Sequence, residues 1–388
     1  MHSPSPSLSS SRRHAIFLNC HKDFGGAERR FARTFCDHLC NDKNITLITN
    51  KASVKALMSA GIIKTKEGIT EMPGGIIEPG LTYKFYHIIN FILLTFYALK
   101  NRVKHIHYPV DPSPYSLFHC VFLRLLGISY SLSIVDSSRT KPSDFGFFRK
   151  LIWKYSIKYA QGIEFLSDGI RKNISCIFSA QMSPSQKTSV SPCSFTDYSK
   201  AHFSYEKNYD LVMVCRLHPK KGHDLLFSAL QHIKELGKSH EVSSIGIFGS
   251  GSLETQIRAE IDKLKEFNIS LRKTNDPFAV FAKSKFLLSL QTDENYPSQA
   301  ILEALSSGAG IIATDVGETY KIVPDKVGFR VPHSAVDLAK TILHALGTYK
   351  VDYSKFRLLN EFVTTEHSAE RFSLYLREFI LESAGQDS

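Results

Sequence analysis

Cysteine is sparse and unpatterned in this chain: seven residues (20, 36, 40, 120, 176, 193 and 215) with no C-x-x-C pair among 388 positions. An odd count without paired spacing indicates neither a disulfide framework nor a zinc ribbon, and a reducing compartment is the simpler reading. Cys36 and Cys40 flank His38 at helical spacing, a pattern met more often as partly buried packing than as a metal cluster.

Long apolar runs are missing too. The start, MHSPSPSLSSSRRHAIFLNC, places two arginines ahead of only Ala15 to Leu18 before Asn19, well short of the roughly 7–15 apolar residues of an export signal. Residues 1–13 read as a flexible tail entering a first strand. FYHIINFILLTFYAL (85–99) contains His87, Asn90 and Thr95 and falls short of the roughly 20 residues that cross a bilayer. It reads as a helix, buried or lying on a surface. There is no short internal repeat and no recognised nucleic-acid-binding module, so nucleic-acid binding would rest on charge alone.

What the chain has in plenty is ordinary folding composition and positive charge. Hydrophobic residues make up 43% and charged residues 22%, with 22 Gly and 15 Pro, the mix of a globular chain of two or three domains. Forty-eight Lys and Arg against 37 Asp and Glu leave +11, which favours anionic partners: nucleic acid, acidic headgroups or phosphorylated small molecules.

Apolar periodicity supplies the organisation. A run from Ala15 to Asn19 is followed by HKDFGG and then by Ala27, Phe31, Phe35 and Leu39 at a spacing of four, which predicts strand, glycine loop and helix. Further β-rich runs at Ile45–Thr49, His105–His107 with Tyr108, and Tyr130–Val135 alternate with helical stretches. Between about Ser183 and Asn208 the sequence turns Ser-, Pro- and Lys-rich and periodicity lapses. It then restarts, with strands at Leu211–Cys215, Ser244–Phe248, Phe286–Leu290 and Gly310–Ala313, helices at His223–Leu236, Leu253–Phe267 and Gln299–Ser306, and a last amphipathic helix near Ser368–Leu381. The prediction is an α/β chain of two doubly wound, Rossmann-like halves: 14–192, a linker 193–208, 209–365, and a C-terminal helix 366–388 packing back on the first half. Ligands of such sheets bind beyond the carboxyl ends of the strands.

Two loops after strands carry candidate chemistry. CRLHPKKGHDLL (215–226) sets Arg216 at a strand end and Lys221 five residues on, before Gly222 and a helix. A forked guanidinium and a compact ammonium suit a diphosphate, although a solvated basic turn has the same composition. In NYPSQAILEALSSGAGIIATDVGE (295–318), Pro297 and Ser298 open a helix whose free N–H groups can hold an anion, and Glu303 lies further along it. A carboxylate there could accept two hydrogen bonds from the hydroxyls of a ribose, or be an exposed helix residue.

In this order these residues resemble the retaining nucleotide-sugar glycosyltransferases of family 4, of the GT-B fold with two facing Rossmann-like domains and a cleft between them. HKDFGGAERR (21–30) resembles that family's N-terminal glycine loop, CRLHPKKGHDLL its Arg–Leu–x–x–x–Lys–Gly signature, IFGSGSLE (247–254) its Gly-x-Gly turn, and NYPSQAILEALSSGAGIIATDVGE its glutamate-bearing helix and next strand. The resemblance spans nearly the whole chain and is most specific in the C-terminal half. It implies that Arg216 and Lys221 stabilise the departing nucleoside diphosphate and that Glu303 holds the ribose. It further implies that Gly25 and Gly26 admit the diphosphate from the other domain, with Gly249 and Gly251 on the donor side. It implies no cofactor and no bound metal, and the chain has no Asp-x-Asp pair of the kind used by metal-dependent sugar transferases. UDP-sugars are the favoured donors.

One departure concerns the sugar. The family's motif has two glutamates separated by seven residues, and the first position here is Asn295, with Glu294 beside it. Asn cannot carry charge or act as a base. The preferred reading gives sugar positioning to Asn295 and the backbone of Tyr296, Pro297 and Ser298, with a one-residue slip to Glu294 as the other. On the acceptor side the candidates are Asp136, in SIVDSS, and His107, in HIHYPVD. Their bland readings are a helix cap and a hydrogen-bonded structural histidine.

Arg29, Arg30 and Arg33, with Lys100, Arg102 and Lys104 after the apolar helix, form a candidate basic surface. The resemblance implies a cytoplasmic protein, peripheral on the inner face of the membrane, acting on a carbohydrate or lipid-linked acceptor in bacterial surface polysaccharide or glycolipid assembly. The alternatives are a sugar-nucleotide epimerase and a catalytically degenerate nucleotide-sugar-binding partner protein. A dinucleotide oxidoreductase is disfavoured because Gly249-Ser-Gly251 lacks the third glycine.

Overall fold

The computed structural model describes residues 14–19, 26–74, 83–135 and 141–385; the expected tail 1–13, Gly25 and Asp136 lie outside them. The chain divides into two compact units, Met1–Pro192 with Ala369–Ser388, and Cys193–Ser368.

The first unit carries β1 (His14–Phe17), β2 (Ile45–Asn50), β3 (Ile69–Met72), β4 (His105–Tyr108), β5 (Ser129–Ile134), β6 (Gly162–Phe165) and β7 (Lys187–Val190). They form one parallel sheet in the order β3-β2-β1-β4-β5-β6-β7. The second unit carries β8 (Tyr209–Val214), β9 (Ile245–Phe248), β10 (Ile269–Arg272), β11 (Ser284–Ser289), β12 (Gly310–Thr314) and β13 (Gly328–Val331), parallel in the order β10-β9-β8-β11-β12-β13. Each order reverses once, at β1/β4 and at β8/β11. The connections on either side of the reversal run to opposite faces, which leaves a crevice beyond the strand ends there.

Central strands are continuous apolar runs because helices cover both faces; β12, GIIAT, is buried throughout. Strand β4 shows how the two faces are told apart. Its HIHY sequence alternates, so His105 and His107 point to one face and Ile106 and Tyr108 to the other. Ile106 and Tyr108 join Leu94, Ala98 and Trp153, from the helices Tyr83–Lys100 and Phe147–Tyr159, in one core. The opposite face lies under the helices Gly26–Thr34 and Ala369–Ala384, whose Phe31 and Phe379 rings stand 5.9 and 6.0 Å from the His107 ring. The final helix fits closely: a Cβ added to Gly162 on β6 would lie 2.1 Å from Ser383 Oγ.

Strands β3, β6, β7, β10 and β13 escape the sequence reading. Each has four residues; β3, β7, β10 and β13 are partly exposed and form no apolar run, while β6, GIEF, is buried but broken by Glu164. β7 corrects the reading of 183–208 as uniformly irregular, since Lys187–Val190 pairs with Gly162–Phe165 at the sheet edge. The stretch 193–208 also has more structure than a bare linker. It buries Cys193 and Phe195, and Tyr198 Oη donates to the His367 carbonyl at 3.0 Å within the second unit. The helix expected over 253–267 is shorter, Glu254–Lys263. No helix among the described residues is long and apolar enough to cross a membrane.

Candidate functional site

The second unit gathers its candidate residues on the loops that follow β8, β9, β11 and β12. The loops after β8 and β9 are laced by backbone. Cys215 N–H donates to the Phe248 carbonyl at 3.0 Å, Leu217 N–H to Ser250 at 3.0 Å, and Leu253 N–H to Leu217 at 3.2 Å. This contact explains two glycines. A Cβ at Gly249 would sit 1.9 Å from the Cys215 carbonyl oxygen and one at Gly251 2.3 Å from that of Leu217. Gly249 and Gly251 therefore let one loop lie against the other, a role within the protein beside the donor contact expected of them. Gly222, at φ +73°, ends the β8 loop and precedes the helix His223–Glu235; its Cβ would lie 1.9 Å from the Leu290 carbonyl oxygen.

The β8 loop thus meets the β11 loop at the point where the strand order reverses. Thr292 N–H donates to the Lys220 carbonyl at 3.3 Å, and Lys220 Nζ pairs with Asp293 at 2.6 Å. Lys221 Nζ donates to Gln291 Oε1 at 2.6 Å. Burial holds the Lys221 ammonium below its ordinary pKa; Cys215 opposes the fall, and the neighbouring Arg216 guanidinium adds a smaller lowering. Arg216 is exposed and makes no ion pair among the described residues. Of the loop's cations, Lys220 is neutralised by an acid, while Arg216 and Lys221 present charge that no carboxylate among the described residues pairs with. Such a pair beyond the strand ends at a switch point suits a polyanion.

The β11 loop corrects the reading of Asn295. Its side chain is 1% exposed and turned inwards: Oδ1 accepts from Ser289 Oγ at 2.9 Å and from Gln291 Nε2, and Nδ2 donates to the Ser289 carbonyl at 3.0 Å. The amide closes its own loop and, through Gln291, reaches Lys221, so it does not face a sugar directly. Glu294 is no replacement. Its Oε1 accepts from Tyr296 N–H at 3.0 Å and Glu318 N–H at 2.9 Å, tying this loop to the turn after β12. A Cβ on Gly317, at φ +54°, would strike that carboxylate at 2.3 Å. Burial raises the Glu294 pKa, and the two backbone donors oppose the rise.

The backbone donors expected at 296–298 are reduced by the same geometry. Tyr296 N–H is taken by Glu294, its ring is buried, and Pro297 has no N–H. Ser298 caps the helix Gln299–Ser306, its Oγ accepting from Ile301 N–H at 3.5 Å. Glu303 stands on that helix, half-buried, with Oε1 accepting from Thr196 Oγ1 at 3.1 Å. The helix buries Ile301, Leu302, Ala304 and Leu305, a pattern that leaves position 303 on its more accessible side.

In the first unit, His107 is corrected. Both ring nitrogens are engaged, Nδ1 with Ser131 Oγ at 2.9 Å and Nε2 with Ser133 Oγ at 3.1 Å. Burial pushes its pKa down to about 3, so it is a neutral structural histidine, fully buried under Phe31 and Phe379. Gly26 opens the helix Gly26–Thr34. Among the described residues no group of three or more His, Cys, Asp or Glu is placed to hold a metal ion. Cys40 Sγ donates to the Cys36 carbonyl at 3.1 Å, and burial pushes the Cys36 thiol up to about 12. Gln291 and Thr196 are the site residues that sequence reading missed. Both are neutral amide or hydroxyl partners of a charged group, and no motif marks them.

Residues 208–348 match the family model described as glycosyl transferases group 1. No curated protein matches the chain. Among solved structures, a glycosyltransferase from Rickettsia africae is similar at TM-score 0.73 and 17% identity, over 96% of this chain and 99% of that one. Anabaena Alr3699/HepE in complex with UDP is similar at TM-score 0.70 and 13% identity, over 95% and 100%. WaaG, a glycosyltransferase involved in lipopolysaccharide biosynthesis, is similar at TM-score 0.60 and 13% identity, over 95% and 99%. These likenesses establish the fold: two parallel-sheet α/β domains of the GT-B glycosyltransferase type.

Proposed function

We propose that the chain is a retaining glycosyltransferase that moves a sugar from a UDP-sugar to a hydroxyl acceptor without a bound metal ion. The observation that carries the reading is the pair Arg216 and Lys221, which no carboxylate among the described residues pairs with, where the loops after β8 and β11 meet. As the bond from the sugar's anomeric carbon to the β-phosphate oxygen breaks, negative charge grows on the diphosphate. Cations already in place stabilise that charge more in the transition state than in the bound donor. The two side chains thereby do what a divalent ion does in other sugar transferases.

Lys221 is aimed by Gln291, and Gln291 by Asn295, so the amide pair acts as a positioning element for the ammonium. Glu303, steadied by Thr196, accepts the ribose hydroxyls. The acceptor oxygen attacks from the face the diphosphate leaves, and its proton passes to the departing phosphate oxygen, which gives retention and needs no side-chain base. The UDP-containing structure of the Anabaena neighbour and the match of 208–348 support the choice of donor. Acceptor recognition falls to the first unit. The name of WaaG supports a carbohydrate or lipid-linked acceptor in bacterial surface polysaccharide or glycolipid assembly.

Calorimetric titration with UDP, GDP and ADP, on the wild type and on Arg216→Ala with Lys221→Ala, tests the reading. Charge-assisted hydrogen bonds contribute about 1.5–3 kcal/mol each, so the double variant should bind UDP at least about a hundredfold more weakly. Unchanged UDP affinity in a folded double variant refutes the assignment.

A further inference from the structure

In the first unit the segments that follow β1, β2 and β4 meet through side chains. Asn19, just beyond β1, donates from Nδ2 to Tyr115 Oη at 2.8 Å, and Tyr115 stands on the helix Pro114–Phe118 that follows β4. The bond therefore spans the reversal of strand order at β1/β4, where the crevice of such a sheet lies. Asn50, the last residue of β2, donates from Nδ2 to Asn19 Oδ1 at 2.7 Å and to the Oη of Tyr86, in the first turn of the helix Tyr83–Lys100, at 3.3 Å. Its own Oδ1 accepts from Ser53 N–H at 2.7 Å and caps the helix Lys51–Ser59. Asn50 thus fixes which way the Asn19 amide turns. Tyr115, 4% exposed, is wedged between the Phe17 and His87 rings, each 5.0 Å away.

The outer members of this network are not exhausted by it. Asn19 and Tyr86 are partly exposed. An amide has two N–H donors and an oxygen with two lone pairs. Asn19 uses one of each, so one N–H and one lone pair remain open among the described residues. Beside Tyr86, Asn90 sets Nδ2 on the Tyr86 carbonyl at 2.9 Å, and its buried Oδ1 has no hydrogen-bond partner among the described residues. Buried acceptors are rarely left so. Gly74, after β3, borders that oxygen: a Cβ there would stand 3.4 Å from Asn90 Oδ1 and 4.0 Å from Tyr86 Oη. A sugar hydroxyl, donor and acceptor at once, completes such a set. A phosphate or carboxylate only accepts, and would set its charge against Asn19 Oδ1. None of these side chains is ionised at neutral pH. Of the cations expected on this unit's surface, Arg30 is buried, its guanidinium 4.6 Å from the Phe372 ring, and supplies no charge here.

We infer that Asn19 and Tyr86, held in place by Asn50 and Tyr115, bind the acceptor in the first unit, and that the group they grip is a neutral sugar ring, through its hydroxyls. The inference rests on the reading of the chain as a glycosyltransferase and adds the chemical class of its acceptor.

Saturation-transfer NMR on the full-length protein in excess UDP tests it, with the methyl glycosides of glucose, galactose, mannose and N-acetylglucosamine set against glucose 6-phosphate and glucuronate. At least one neutral glycoside should bind, and more tightly than either anion. Asn19→Ala should weaken it on the order of tenfold, and Tyr86→Phe, which removes one oxygen from a partly exposed ring, by about threefold. UDP affinity, titrated on the same samples, should not change. Thermal midpoints verify each fold, and Tyr86→Phe keeps the test decisive should Asn19→Ala not fold. A wild type that binds UDP but no neutral glycoside, folded variants that bind it as tightly as the wild type, or a preference for glucose 6-phosphate or glucuronate overturns the inference. A wild type that binds no UDP overturns the glycosyltransferase reading beneath it.

Discussion

Replacing Asn295 by aspartate distinguishes a side chain that closes a loop from one that faces substrate. Asn295→Asp keeps the shape and the oxygen that accepts from Ser289 and Gln291, but it sets a second oxygen against the Ser289 carbonyl, where Nδ2 now donates at 3.0 Å. Ionised, the new side chain orphans that carbonyl, at about 1–3 kcal/mol, and buries a charge at a position only 1% exposed. Protonated, it donates to the carbonyl and restores the native pattern. Its folded pKa therefore rises above the unfolded value of about 3.9. Lys221, two hydrogen bonds away through Gln291, opposes the rise but does not relieve the burial. A raised folded pKa means that the stability is present below the unfolded pKa and is lost as pH climbs through the folded one. For a shift of roughly 2–3 units, Asn295→Asp should match the wild type near pH 4 and be about 3–4 kcal/mol less stable by pH 8. That corresponds to a drop of roughly 6–16 °C in the melting midpoint of a unit of this size. Thermal unfolding of both proteins across this range measures the difference. A gap that does not vary with pH, or an undiminished midpoint together with faster sugar transfer, would refute the inward placement.

Two further outcomes follow from packing and burial. Gly249→Ala places its Cβ 1.9 Å from the Cys215 carbonyl and should cost about 1–3 kcal/mol while weakening UDP binding; Gly347→Ala, with nothing within 4 Å, should be neutral or slightly stabilising in urea titrations. Equal midpoints for the two would sink the account of the laced loops. In the first unit, burial holds His107 and His119 at about 3, below the roughly 6.5 of an unfolded histidine. The unfolded chain therefore takes up protons first, and stability falls as pH drops from about 6.5 towards 3, by at most about 4–5 kcal/mol per histidine. Fluorescence of the buried Trp153, the chain's single tryptophan, reports this unit, and a smaller acid loss in His107→Asn is expected; a flat profile between pH 6.5 and 4 would contradict it.

What could be read without coordinates divides along a physical line. The apolar runs of the central strands and the periodic helices reveal the doubly wound halves, because burial on both faces leaves no other composition. Edge strands such as Lys187–Val190, half-solvated, look like loop. The cations of the site, Arg216 and Lys221, are legible only together with the other motifs in their order, because a solvated basic turn has the same composition. Their neutral partner Gln291 is not, because an amide acquires its role from a neighbour 70 positions away. Asn295 shows the limit most sharply. Spacing brings it to the right loop but says nothing about which way the side chain turns. That direction depends on the Ser289 hydroxyl and carbonyl offering a buried acceptor-and-donor pair that only an amide satisfies in full. A carboxylate at this position would have to choose between ionising and keeping the loop closed. The asparagine therefore reads as the residue that lets this loop aim Lys221 through Gln291.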